Sequence, residues 1–245
     1  MNPLRGVWRL LRTLVHVVCG LLTLLLRFPS LNSAGRQLCV HHWAIGVLAC
    51  IGVTLEVRGS ARQEGPLMLV ANHISWLDIP ALHALQFCRF VAKADLRHWP
   101  VIGMMASRAG TLFIERESRR DAMRVVHHMA ESLRAGDVLA VFPEGTTSDG
   151  TGLLPFHANL FQSAISAGAP VQPVLIHYVD TQSGQQSFAP NFVGGEFFLV
   201  SVWRTLCTSG ITVRITRGAL EPARDRDRRA MAAHLREAVA ALKSS

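Results

Sequence analysis

The sequence is poor in charge and lacks most of the signals that mark nucleophiles, metal centres and linkers. Only 17% of its 245 residues are charged while 49% are hydrophobic, which excludes an extensively disordered chain and leaves material for a large core. Its five cysteines, Cys19, Cys39, Cys50, Cys88 and Cys207, are odd in number and have no C-x-x-C spacing. They suggest neither a zinc site nor a disulfide framework, and a reducing compartment fits them. There is no G-x-S-x-G, so the serine-hydrolase elbow is missing. Helix-turn-helix, zinc-finger and aromatic-rich strand motifs for nucleic acid are missing too. Without a Ser/Gly-rich linker or an internal repeat, the chain reads as a single unit.

Acidic residues are the scarcer sign. Seventeen Asp and Glu against 25 Lys and Arg leave a net charge of +8, which favours an anionic partner: a phospholipid surface, a phosphorylated metabolite or nucleic acid. The N-terminal stretch WRLLRTLVHVVCGLLTLLLRFPS (8–30) narrows the choice. Its apolar centre runs from Leu14 to Leu26, broken by His16 and Thr23, with Arg5, Arg9, Arg12 and Arg27 outside it. As a helix that centre covers about 20 Å, short of a ~30 Å hydrocarbon core. A signal peptide has the same charged start, but RFPSLNSAG offers no clear A-x-A site. A second apolar stretch, WAIGVLACIGVTL (43–55), follows. The two are expected to form a helical hairpin dipping into one leaflet with the arginines at headgroups, unless one of them is an ordinary core helix. Residues 1–55 are therefore set apart as a membrane-associated helical segment, and 56–245 as an α/β body.

In that body short β-rich runs, TLEVRG, LMLVA, RFVA, TLFI, VLAVF, VQPVLIHY and ITVRITR, are separated by segments of helix length. Continuous apolar strands alternating with helices predict a mostly parallel, helix-covered sheet. Helices are expected near 79–87, 121–135, 158–168 and 225–243. The last opens with Asp225 and Asp227 and carries Met231, Leu235, Ala238 and Leu242 on one face, so it reads as a packing helix.

Chemistry-bearing residues fall at the carboxyl ends of these strands, where helix N-termini offer free amides. In ANHISWLDIPAL (71–82) the strand ends at Ala71, and Pro80 fits only a first helical turn, placing the helix start near Asp78. His73 is then a loop residue and Asp78 a helix-start residue. A carboxylate holding Nδ1–H of an imidazole leaves Nε2 as a base. The competing reading makes Asp78 an N-cap and Ser75-Trp76-Leu77-Asp78 a capping box. In VLAVFPEGTTSDG (138–150), Glu144, Gly145 and Thr146 form a polar turn where glycine allows close approach and amides can face an anion. Glu144 requires a cationic or amide partner. Arg116, at the end of GTLFIER, and Lys93, just past RFVA, are candidate cations for a phosphate.

These blocks, taken in order, resemble the glycerolipid acyltransferase family that includes the bacterial 1-acyl-glycerol-3-phosphate acyltransferases. NHISWLD (72–78) is similar to its NHxxxxD, GTLFIER (110–116) to G-x-x-F-I-x-R, FPEGTTS (142–148) to FPEGTRS, and VQPV (171–174) to V-x-P-V. The resemblance implies that His73 is the general base, oriented by Asp78, and that Arg116, Glu144 and Gly145, with Thr146 of the same turn, belong to the acceptor site; Lys93 is a further candidate from its position. It also implies an acyl-CoA or acyl-carrier-protein donor, a lysolipid acceptor, no cofactor, no metal, and a seat on the membrane surface at the cytoplasmic face of a bacterial inner membrane. Two positions depart from the pattern: Thr147 stands where the family has arginine, and His157 where many members have lysine. Their loss of cationic character opens a second acceptor class, lyso-ornithine lipid or another lysolipid without a phosphomonoester. A non-enzymatic basic membrane- or nucleic-acid-binding module is the rival from another class; it makes no demand on where His73, Arg116 and Glu144 lie.

Overall fold

A computed structural model describes residues 1–61, 63–114, 119–224 and 226–244. Helices α1 (Pro3–Leu26) and α2 (Ser33–Ile51) precede the sheet, whose strands begin with β1 (Val53–Gly59) and β2 (Leu67–Ala71). Then follow α3 (Asp78–Leu85), β3 (Arg89–Lys93), α4 (Ile102–Arg108), β4 (Leu112–Ile114), α5 (Arg119–Arg134), β5 (Val138–Val141) and α6 (Phe161–Ala167). The chain ends with β6 (Val171–Asp180), α7 (Phe198–Cys207), β7 (Ile211–Arg217) and α8 (Arg228–Ala241). All seven apolar runs are strands.

They form one sheet in the order β1-β7-β6-β2-β5-β3-β4. β2 lies near the middle, parallel to β5 (Leu67 opposite Val138) and to β6 (Met68 opposite Val171). Covered on both faces, it is buried at every position, which is why LMLVA has no polar alternation. Side chains of a strand alternate between faces. Leu67, Leu69 and Ala71 enter a core with α2 and α3, while Met68 and Val70 enter a second core with α5, α6 and α8.

The expected mostly parallel sheet is present, with one pair reversed: β6 and β7 run antiparallel, from Val174 opposite Arg217 to Asp180 opposite Ile211. Helices α4 and α7 had no sequence expectation. Neither has a side-chain N-cap, and α4 starts after Val101 at φ 66°, so the usual start signals are missing. In α8, Asp227 is the N-cap, accepting from the amides of Arg229 and Ala230; Asp225 lies outside the described residues.

The N-terminal expectation needs correcting in two places. The two helices do pack together, through His16 stacked on Trp43 at 5.8 Å and through Gly20 and Gly46, where a Cβ would collide with Trp43 and His16. Yet part of α2 is covered by protein: Ala44, Val47, Leu48 and Ile51 are in the core, and 53–55 belong to β1. The proposed division between 55 and 56 therefore cuts a strand. Arg9 also turns away from any headgroup, donating to the carbonyl of Leu206 at 3.2 Å and to that of Thr208. By contrast α1, at 24 residues, is long and apolar enough to cross a membrane, and little of it is buried.

Candidate active site

Adjacent parallel strands β2 and β5 send their following helices, α3 and α6, to opposite faces of the sheet. Loops that diverge in this way open a crevice at the carboxyl ends of the strands. His73 follows β2 and Glu144 follows β5, so both stand at that crevice.

Asn72 turns the chain out of the sheet. Strand pairing with β6 stops at Ala71 opposite Val174, and the Asn72 amide carries the ladder one step further: Oδ1 accepts from Ile176 N at 2.7 Å and Nδ2 donates to Ile176 O at 3.0 Å. This leaves His73 free of the ladder. Its Nδ1 lies 2.8 Å from Asp78 Oδ2, with Asp78 fully buried and the imidazole side chain 20% exposed. Asp78 Oδ2 also accepts from the amides of Ile74 at 2.7 Å and Ser75 at 2.9 Å. A carboxylate is an acceptor only, so Nδ1 carries its hydrogen and Nε2 holds the lone pair. Nε2 has no hydrogen-bond partner among the described residues.

The competing reading of Asp78 holds only in part: Asp78 is not the N-cap of α3, yet its carboxylate does take up the amides of the preceding loop. Its bond to Ser75 N is one half of a capping box, and Ser75 Oγ accepts from Leu77 N at 3.1 Å. Asp78 is the first residue of α3, with Leu77 as its N-cap. The same cap that winds the loop thus aims the carboxylate at the imidazole.

Tyr178 completes the arrangement and was missed from the sequence. On β6, fully buried, it donates its hydroxyl to Asp78 Oδ1 at 2.6 Å. Burial, followed by the Asp78 charge, pushes the phenol well above its ordinary value of 10.0, so it stays a donor. A signal existed: it is the chain's single tyrosine, set in an apolar strand where a buried O–H must find a partner. Asp78 therefore accepts from two amides, one imidazole and one phenol, a full set for a buried carboxylate. The imidazole ring is held from its face by Phe142, stacked at 4.1 Å and 15°.

Among the described residues Glu144 has amide partners rather than a cation. Oε1 accepts from His73 N at 2.8 Å and Oε2 from Leu154 N at 2.9 Å, and the residue is 4% exposed. Burial raises its pKa, against the two amides, which lower it. Instead of reaching outward to an acceptor, the side chain ties three segments together at the His73 backbone. Ser148, also unforeseen, adds its amide and hydroxyl to His73 O at 2.8 and 3.3 Å. Gly145 takes φ 73°, as a turn of this kind requires, and donates its amide to Phe142 O at 3.1 Å. Thr146 is exposed on the same turn, and its amide has no hydrogen-bond partner among the described residues.

The expected cations are less settled in place. Lys93, at the end of β3, is exposed and holds Asp95 at 2.5 Å. Arg116 lies outside the described residues. No cluster of three His, Cys, Asp or Glu able to hold a metal exists among the described residues, and all five cysteines are free thiols.

Comparison with known proteins follows this geometry. The family model described as Acyltransferase matches residues 53–177, from β1 into β6. A 1-acyl-sn-glycerol-3-phosphate acyltransferase of Neisseria meningitidis is 40% identical over 183 residues, 74% of this chain and 70% of that protein. A lyso-ornithine lipid O-acyltransferase of Pseudomonas aeruginosa is 36% identical over 245 residues, 98% of this chain and 93% of that protein. The crystal structure of the 1-acyl-sn-glycerophosphate acyltransferase from Thermotoga maritima shares the fold, with a TM-score of 0.68 at 20% identity over 98% of this chain and 97% of that one.

Proposed function

Because this chain belongs to the acyltransferase family and is an O-acyltransferase by type, we propose that it moves a fatty acyl group from an acyl thioester onto the free hydroxyl of a lysolipid. The donor is acyl-CoA or acyl-carrier protein. The first acceptor is 1-acyl-glycerol-3-phosphate, giving phosphatidate in phospholipid biosynthesis.

The observation that carries this reading is the imidazole of His73, fixed through Nδ1 by a buried carboxylate and open at Nε2. Nε2 takes the proton of the acceptor hydroxyl as its oxygen attacks the thioester carbonyl, and Asp78 stabilises the imidazolium that results. The tetrahedral intermediate collapses by expelling the thiolate, which recovers the proton from Nε2. The ester bond forms as the thioester bond breaks. The acceptor oxygen is itself the nucleophile, so the reaction requires no serine or cysteine, and proton transfer on His73 calls for no metal or cofactor. The turn at Thr146 supports a contact to the developing oxyanion or to the headgroup through its amide. Lys93 and Arg116 are the cations proposed for the acceptor's phosphate.

A second acceptor, lyso-ornithine lipid, is favoured by two observations. Thr147 and His157 stand where related motifs carry cations, and the relative named for that acceptor aligns along nearly the whole chain. A charge-assisted contact contributes about 1.5–3 kcal/mol, so losing two weakens phosphate recognition unless other groups replace them. The reaction is placed at a membrane, with α1 as attachment and the free thiols on the cytoplasmic, reducing side.

Labelled acyl-CoA and purified protein, offered a panel of lysolipids, test the reading. Preferred acylation of 1-acyl-glycerol-3-phosphate supports the first acceptor. Preference for lyso-ornithine lipid replaces it with the second, and acylation of none overturns the function.

A further inference from the structure

Helix α7 has two unlike sides. The inner side is tied to the loop between His73 and Asp78: the Trp76 indole donates to Ser201 Oγ at 3.3 Å, and its ring meets Phe198 edge-on at 5.9 Å. Ser201 is fully buried and donates in turn to Asn191 O at 2.9 Å. The outer side is a stripe of Phe197, Leu199, Val200 and Trp203, from 68% exposed at Phe197 to 37% at Trp203. The stripe does not end with the helix. Trp99 packs edge-on to Phe198 at 6.2 Å and continues it with exposed Ile102 and Met104. On the other flank α1 joins it, with Gly6 against Trp203 and Cys207, and Asn2 N donating to Cys207 O at 3.0 Å.

A contiguous apolar surface of this kind, backed by a helix fixed to a catalytic loop, calls for an apolar partner. The charges of the segment support a lipid. Between 188 and 210 the charged residues are Glu196 and Arg204, and they pair with each other at 2.6 Å. Within this segment, therefore, no unpaired acid opposes anionic headgroups. Ten residues rise about 15 Å, half of a ~30 Å hydrocarbon core, so α7 is too short to span a bilayer and fits one lying in the interfacial plane.

We propose that α7, with the Trp99–Met104 segment, is a membrane-contact element in addition to α1. Its outer stripe inserts into the leaflet, and its inner side, through Trp76, sets the His73 loop at the lipid surface. The contact does not depend on the acceptor; only its consequence, delivery of a lysolipid from the leaflet to His73, rests on the proposed function.

The test uses the full chain and vesicles of phosphatidylethanolamine and phosphatidylglycerol. In the double variant Leu199→Glu/Val200→Glu both replaced side chains are exposed, and an unchanged circular dichroism melt verifies the fold. Co-sedimentation with vesicles is expected to weaken at least about a hundredfold, the scale set by losing two inserted aliphatic side chains. In a second measurement, quenching of tryptophan fluorescence by acyl-chain-brominated lipid is expected to fall in Trp203→Phe. Unchanged partition together with unchanged quenching overturns the proposal. A double variant that converts a detergent-solubilised dimer to a monomer overturns it too, by assigning the stripe to a second copy of the chain. Both readouts are independent of catalysis, so a failed acyl-transfer assay leaves them decisive.

Discussion

Two regions of this molecule invert each other's rules. Around the loop from Asn72 to Asp78 polar side chains are buried or half-buried and each has an internal partner: Asn72 is matched by Ile176, His73 and Tyr178 by Asp78, Ser75 by Pro190. On α1 and α7 large apolar side chains, among them Trp8, Val15, Leu26 and Leu199, are exposed. The first region is explained by contacts inside the chain; the second is explained only by something outside it. An enzyme that must act on a lipid needs both, a rigid polar site and an apolar surface beside it. Trp76 joins them physically, with its backbone in the first and its side chain against α7.

The comparison breaks most sharply at Asp78. In Asp78→Asn the buried acceptor of four donors becomes an amide that accepts on one side only, so Nδ1 of His73 or the Tyr178 hydroxyl loses its partner. Activity is expected to fall about 10³-fold, and stability by about 3 kcal/mol, read from acyl transfer and from urea unfolding. Full activity in that variant would show that the polar region does not depend on its central carboxylate.

Acid should loosen the polar region's support before it loosens the apolar surface. His83, on α3, is buried against Phe87 and Phe90, with His41 on its carbonyl. Burial, and then His41, lowers its pKa from 6.5 to about 4. The folded state holds it neutral while the unfolded chain binds a proton, so its contribution is complete above pH 6.5 and is lost as pH falls from 6.5 towards 4. The full loss is about 3 kcal/mol. Urea midpoints at pH 7 and pH 5 in detergent should separate in the wild type, and converge in His83→Phe; equal separation in both would assign the acid sensitivity elsewhere.

Tyr178→Phe sharpens the comparison by the smallest step. It keeps the buried ring and removes only the hydroxyl, so stability is expected to drop about 1.5–3 kcal/mol, the value of a hydrogen bond to a charged group. The fall in kcat should be smaller than in Asp78→Asn, with KM unchanged. No change in either quantity would mean the bond to Asp78 Oδ1 carries nothing.

What could be read in the sequence follows the same divide. The strands were legible because β2, β5 and β6, covered on both faces, leave uninterrupted apolar runs, and Pro80 fixed where α3 begins. His73 and Asp78 were legible because both lie within one short loop. Tyr178 was not, since a hundred residues separate it from Asp78 and only the sheet brings them together. The antiparallel turn of β7 was hidden because the segment containing α7 has the length of an ordinary crossover. The burial of α2 was hidden for another reason: apolar composition does not say whether a helix is covered by protein, and here part of α2 enters the core while α1 stays largely exposed.

In the proposed reaction everything turns on His73 removing the acceptor's proton. The direct measurement is the rate of acyl transfer from thioester to lysolipid in His73→Ala, under single-turnover conditions, with vesicle binding and the unfolding midpoint measured alongside. The rate should fall about 10²–10⁴-fold while binding and fold hold. Transfer at the wild-type rate would contradict it.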